Sequence, residues 1–360
     1  MKRIIILSLF AFAFKNSFAQ GCIAIKTNGN TCTMSHEGNK GWSLNVNNRY
    51  FRSYKHFVGT VEQKQRVDSG TEVINKVYAL DFTLTRVFDK HWSFALTMPI
   101  SFNARSSKYE HYGNTNSSTN ARRTTKATGL GDLRFSVYRW MFNPALSYKG
   151  NLQLGLGLKL PTGDYRYQDY FYKNDTTAVL GPVDQSIQLG DGGTGFSFEA
   201  RGYYNINTAW GTYADFYYLM NPREQNGVST ARGGTPSANS IKYFSNYMSV
   251  ADQFMVRAGA NFKAKQFTFS GGIRVEALPS SDLIGGNKGF RRPGYILSAE
   301  PVISYMNKHM QFYISVPMAL KRDRTQSYAD KLQTAATGIK VQGDAAFADY
   351  SLNLGTTISF

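Results

Sequence analysis

Three groups of residues in this 360-residue chain have types and spacings that invite a chemical reading. The first is Gly190-Asp191-Gly192-Gly193-Thr194-Gly195, a formal match to G-x-G-x-x-G. Such a loop cradles a pyrophosphate only when an apolar strand precedes it and a helix follows it. Here Phe196, Phe198 and Ala200 alternate with Ser197, Glu199 and Arg201, so a strand follows. The glycines therefore read as a loop turning back into a sheet. The second group is the histidines His36, His56, His91, His111 and His309. They lack metal-ligand spacing, and a lipid-face hydrolase would need a serine beside one of them. Only His56 could reach a membrane rim, and no nucleophile motif accompanies it. No enzyme, metal or cofactor is expected. The third group is a set of charges at alternate positions within half-apolar stretches: Asp81, Asp132, Arg134, Lys159, Glu199, Arg201, Asp215, Arg257, Arg274, Glu276 and Glu300.

The elements that hold these charges have a period of two. In NLQLGLGLKLPTGDYR (151–166), Leu152, Leu154, Leu156, Leu158 and Leu160 share one face of a strand, with Asn151, Gln153, Gly155, Gly157 and Lys159 opposite. Trp92 to Phe102 and Met310 to Leu320 repeat the pattern, with matching lead-ins around Lys90-His91 and Lys308-His309. Twelve strands are expected, near 42–56, 73–88, 91–103, 129–142, 151–161, 193–206, 209–220, 246–262, 266–278, 294–306, 309–320 and 345–360. Short connections alternate with long polar ones at 57–72, 104–128, 162–192, 221–245, 279–293 and 321–344. An even strand number with short-long alternation is the pattern of an all-β, up-and-down antiparallel transmembrane barrel.

Other features agree. Pro99, Pro161, Pro279 and Pro317 are expected to end strands at the outer rim, where a missing N–H is expendable. Trp42, Trp92, Trp140 and Trp210 fall near one edge, the first three with lipid-facing parity, as a girdle requires. The last strand ends in Phe360, the kind of signal read by outer-membrane barrel assembly machinery.

The first residues set the compartment. Met1-Lys2-Arg3, an apolar run over 4–14 and Ser17-Phe18-Ala19 read as a signal peptide cut after residue 19. Residues 20–41 then form a periplasmic lead-in, and 42–360 the barrel. Cys22 and Cys32 could close a disulfide in an oxidising periplasm, with lipidation of Cys22 as the alternative. The net charge of +17 falls to +14 without Lys2, Arg3 and Lys15. Nucleic acid is not an expected partner of a secreted chain; outer-membrane lipids and lipopolysaccharide suit the charge better. The basic residues of 104–128, Arg105, Lys108, Arg122, Arg123 and Lys126, are candidates for that contact.

The runs GLGDLRFSVYRWMF (129–142), NLQLGLGLKLPTGDY (151–165) and QLGDGGTGFSFE (188–199) resemble the outer-membrane barrel family of phenol meta-pathway proteins, distant relatives of long-chain fatty acid transporters. The resemblance implies a barrel that passes small hydrophobic compounds. Those transporters carry a longer N-terminal plug than residues 20–41 provide. Charges at membrane depth must face a lumen, since Arg or Lys facing lipid costs roughly 2–4 kcal/mol at the midplane. They would form either a structural salt-bridge network, in a closed structural or adhesive barrel without transport, or a selective constriction in a channel. Tyr165, Tyr167, Tyr170, Phe171 and Tyr172 would either capture an aromatic solute or pack their loop on the rim.

Overall fold

The computed structural model describes residues 20–21, 40–118 and 120–360. The expected signal peptide, Cys22 and Cys32 lie outside the described residues. Twelve strands form one closed antiparallel barrel: β1 (Gly41–Val58), β2 (Ile74–Val87), β3 (Trp92–Ser107), β4 (Arg123–Leu130 and Arg134–Trp140), β5 (Gly150–Lys159), β6 (Gly195–Asn205), β7 (Trp210–Met220), β8 (Gln253–Ala264), β9 (Phe267–Leu278), β10 (Gly294–Asn307), β11 (Met310–Ser315 and Met318–Asp323) and β12 (Ala345–Ser359). Each pairs with its sequence neighbour, and β12 closes on β1 from Ser43↔Ser359 to Phe57↔Ala345. Trp42 and Phe360 fasten the seam, exchanging backbone hydrogen bonds of 2.7 and 2.8 Å.

Closure removes every sheet edge, which a wall in lipid requires because no water can satisfy exposed N–H or C=O groups. The two faces are sorted as the alternation dictates. On β5, Leu152 and Leu156 point outward, the latter 68% exposed, while Asn151, Gln153 and Lys159 are buried. Trp42, Trp92 and Trp210 are exposed and Trp140 is buried, which is the parity expected of them. An apolar exterior around a polar interior is the inverse of a soluble domain and suits only a lipid solvent.

Two of the four prolines correct the sequence reading. Pro161 and Pro279 follow the ends of β5 and β9, as expected. Pro99 lies inside β3, which continues to Ser107. It is tolerated because its neighbour β4 is interrupted there, at residues 131–133, so no carbonyl needs the missing donor. Pro99 still accepts a bond from the Gly131 amide at 2.8 Å. Pro317 sits in the interruption of β11 rather than at its end. Residues 104–107 and 123–128 are thus strand rather than loop.

The long connections are folded. Gln168–Tyr172 pairs with Ala178–Pro182, and Gln225–Ser229 with Tyr247–Ser249. Among the described residues three short helices lie in the long connections: α1 (Lys64–Asp68), α2 (Ala238–Lys242) and α3 (Tyr328–Thr337). α3 carries a capping box, Ser327 with Asp330, and ends at Gly338 with φ 70°. Gln20–Gly21 pairs with Phe347–Ala348 near the start of β12, at the long-loop end. The lead-in was expected at the opposite, short-turn end.

Candidate functional site

Register decides which lumen charges meet. Arg201, Asp215, Arg257 and Arg274 are direct cross-strand partners on β6, β7, β8 and β9, so they form one row around the inner wall. Glu199 and Glu276 lie two residues away, on the same faces of β6 and β9. The Arg201 guanidinium donates to Glu199 at 2.6 Å, and Arg274 donates to Glu276 at 2.8 Å. Arg257 Nε donates to Asp215 at 2.5 Å. Glu300 on β10 lies 3.3 Å from Arg274 and 3.7 Å from Arg257, and accepts the Ser315 hydroxyl at 2.8 Å. Seven of the eleven charges therefore form a ladder of ion pairs over five adjacent strands, β6 to β10.

The facing wall is built differently. There the lumen carries amides and hydroxyls: Asn45 donates to Thr357 at 2.8 Å, and the Tyr313 hydroxyl donates to Asn47 at 2.9 Å. Asp81 accepts from Asn47 at 3.5 Å, and Arg134 donates to the Tyr217 hydroxyl at 3.1 Å. Arg49 is a buried lumen charge that the sequence reading passed over, although its parity with Asn45 and Asn47 marks it. Inward tyrosines lie across from glycines. Tyr313 and Tyr138 pair in register with Gly355 and Gly155, where an added Cβ would come 1.9 and 2.6 Å from the rings. Gly155 on β5 and Gly355 on β12 make that space.

The motifs that carried the family resemblance converge at the interruption of β4. The Asp132 carboxylate accepts the amides of Gly163 (3.0 Å) and Asp191 (3.2 Å). The Thr162 hydroxyl donates to Gly131 O and accepts the Leu133 amide. A Cβ on Gly190 would lie 2.4 Å from Asp132. Lys159 bonds Asp191 and lies 4.0 Å from Asp132. GLGD, PTGD and LGDGG thus pin the 162–194 connection to the wall. The glycines make room for other protein segments, the Leu189–Gly190 backbone at Gly163 and the Asp132, Tyr165 and Val250 side chains at Gly190, Gly192 and Gly193, and a strand follows them, as expected.

From that junction the chain turns into the barrel. The lumen-facing Asn103 donates to Ile187 O at 3.0 Å, and Gln185 donates to Ser249 O at 2.9 Å. Val183, Ile187 and Leu189 are buried there beside Ala127 and Tyr167. Asp184 is the hub of this closure. It lies 2.8 Å from Arg292, 2.9 Å from Arg232 and 3.5 Å from Arg105, which come from three other segments. Glu110 joins Arg105 (2.8 Å) and Arg232 (2.7 Å). Burial pushes the Asp184 carboxyl up, but Arg105, Arg292 and Arg232 outweigh it and hold it well below the usual carboxylate range.

Two cavities lie beside the 184–186 segment. The larger, about 560 Å³, lies among the long loops; the smaller, about 90 Å³, reaches Asp132, Arg134 and Asp191. Both are lined by Met248 and Arg292. The loop aromatics divide: Tyr170 is exposed, while Phe171 is fully buried and stacks on His111 at 5.6 Å. Phe171 is therefore loop packing. Arg123 lies over the Tyr172 ring at 4.7 Å, and Arg166 over Tyr165 at 5.1 Å. Of the basic residues of 104–128, Arg105 is buried, and half-buried Arg122 lies 3.1 Å from Glu72. His56 is buried and bonds Asp344 at 2.7 Å instead of reaching the rim. Among the described residues no group of three His, Cys, Asp or Glu could hold a metal ion.

The fold and this lumen define the class: a transmembrane β-barrel of the outer-membrane type. No protein-family model matches the chain, and no curated protein matches it in sequence. Among solved structures, an outer membrane channel from Pseudomonas putida F1 superposes with a TM-score of 0.57 at 11% identity, covering 92% of this chain and 100% of that one. The translocator domain of autotransporter NalP from Neisseria meningitidis gives 0.46 at 12% identity, covering 89% of each chain. The P. putida toluene transporter TodX gives 0.42 at 10% identity, covering 89% of this chain and 90% of that one.

Proposed function

We propose that this barrel is a gated outer-membrane channel for small solutes with an aromatic or apolar body. Its long loops face outward and its short turns face the periplasm. One observation carries the reading: two cavities that share Met248 and Arg292 lie beside a polar closure in which the loop residues Asp184, Arg232 and Arg292 meet Arg105 of β3. A loop clipped by ion pairs can move without breaking the barrel, whereas a wall cannot. The outer membrane channel fold it shares agrees with passage. Exposed Phe360 agrees with delivery by the assembly machinery, and the motif resemblance to the phenol meta-pathway family agrees with the solute class.

A second reading has its own observation. The ion-pair ladder and the tyrosine-glycine pairs fill the lumen, as side chains do in small barrels, which favours a closed structural barrel. Purified barrel in liposomes separates the two. A channel takes up phenol and a fatty acid but not glucose, and shows single-channel conductance. Absence of uptake for all three solutes, with no conductance, establishes the closed barrel.

A further inference from the structure

The larger cavity has a chemistry of its own. Six guanidiniums line it: Arg66, Arg105, Arg232, Arg291, Arg292 and Arg324. Only three carboxylates do, Asp184, Asp330 and Asp344. Glu110 and Asp282, which pair with these arginines from behind, bring the carboxylates to five, still one short. The shortage is visible in the geometry. Asp184 serves three arginines at once. Asp344 lies 2.7 Å from His56 and only 3.6 Å from Arg66. Asp330 takes the Ser327 amide at 2.9 Å before Arg324 at 3.3 Å. Arg66 and Arg324 each keep a buried Nε–H with no hydrogen-bond partner. Burial pulls the Arg324 guanidinium down to about 10, with Asp330 opposing only in part. Buried cations short of partners are costly, and an anion in the cavity would offset the excess positive charge.

The remaining lining is aromatic and apolar: Tyr109, Tyr243, Met248 and Phe290 among others. At about 560 Å³ the space suits one small organic molecule. We propose that this vestibule is a binding site for an aromatic carboxylate, held by its carboxylate on Arg66 and Arg324 and by its ring among these side chains. The proposal rests on the channel reading and narrows its solute to an anion captured before the Asp184 closure.

The test titrates the purified full barrel in non-ionic detergent with benzoate, with neutral benzyl alcohol and with inorganic phosphate, by calorimetry. Benzoate is expected to bind about 10-fold or more tighter than benzyl alcohol, the scale of one charge-assisted contact. Phosphate at equal concentration is expected not to displace it. Arg66→Gln and Arg324→Gln should each cut benzoate affinity about 10-fold and leave benzyl alcohol unchanged. Heat-modifiable gel migration reports that each variant is folded, and the wild-type ratio needs no variant. Equal binding of benzoate and benzyl alcohol overturns the proposal, as does equal binding of phosphate or full affinity in both folded variants. Benzoate binding without any liposome uptake keeps the vestibule and removes the channel. Phenol uptake without benzoate preference does the reverse.

Discussion

The ladder in the wall and the closure at the loops are both built from arginines and carboxylates, yet they differ in reach. Glu199 and Arg201 are two residues apart, as are Arg274 and Glu276, and Asp215 meets Arg257 on the next strand. Around Asp184, Arg232 comes from 48 residues away and Arg292 from 108. Ladder pairs are held by sheet register, so their geometry survives the loss of any one bond. Closure pairs instead tie separate loops to one another and to β3. The wall should therefore answer substitution as a stability change, and the closure as a conductance change.

The sharpest way to break this contrast is Asp184→Ala. It leaves buried Arg105 and half-buried Arg232 and Arg292 crowded without their shared anion. Removing one partner of a buried pair costs about 3–5 kcal/mol. That cost should fall on the loops, because β1 to β12 keep their ladders. The expected result is a several-fold rise in single-channel conductance in a barrel that still migrates as folded. An unchanged conductance in folded protein would mean that Asp184 closes nothing.

A smaller effect is expected from Glu300→Gln. Arg257 keeps Asp215 and Arg274 keeps Glu276, so the loss is one shared partner, about 1–3 kcal/mol. It should lower the urea midpoint of unfolding from vesicles and leave conductance within the wild-type scatter. A conductance rise as large as that of Asp184→Ala would erase the distinction between wall and closure.

The smallest effect is that of pH, and its sign can be worked out. The Asp184 carboxyl is depressed, so its stabilisation is complete above the unfolded value, about 4, and is lost only as pH falls through the still lower folded value. Conductance should stay flat from pH 7 to 4. His111 differs: desolvation lowers it to about 4, with Glu110 opposing, so its neutral form belongs to the folded loop. Its packing on Phe171 is complete above about 6.5 and weakens as pH falls towards 4. The Tyr172 amide, which donates to His111 Nδ1 at 3.1 Å, should exchange faster with solvent over that window. A conductance step near pH 6 would show that His111 drives the closure and Asp184 does not.

What the sequence by itself determined is what is periodic. Alternation in 151–160, 92–102 and 345–360 specified strands, their faces and the lipid solvent, because side chains two apart must share a face. The same parity named the ladder charges, since charge cannot face lipid. Spacing of short and long connections specified twelve strands. What only the tertiary structure decided is what is not periodic. Pro99 looked like a strand end because a lone strand loses a bond there; its tolerance depends on the interruption in β4, 32 residues away. Arg105 and His56 looked available at the surface because nothing near them in sequence buries them. Asp184 carried no local signal, since its partners lie in three other segments. GLGD and LGDGG carried the family resemblance, and their glycines proved to be steric: they make room for Pro99, Asp132, Tyr165, Val250 and the Gly163 backbone, and sequence alone does not say which atoms will come that close.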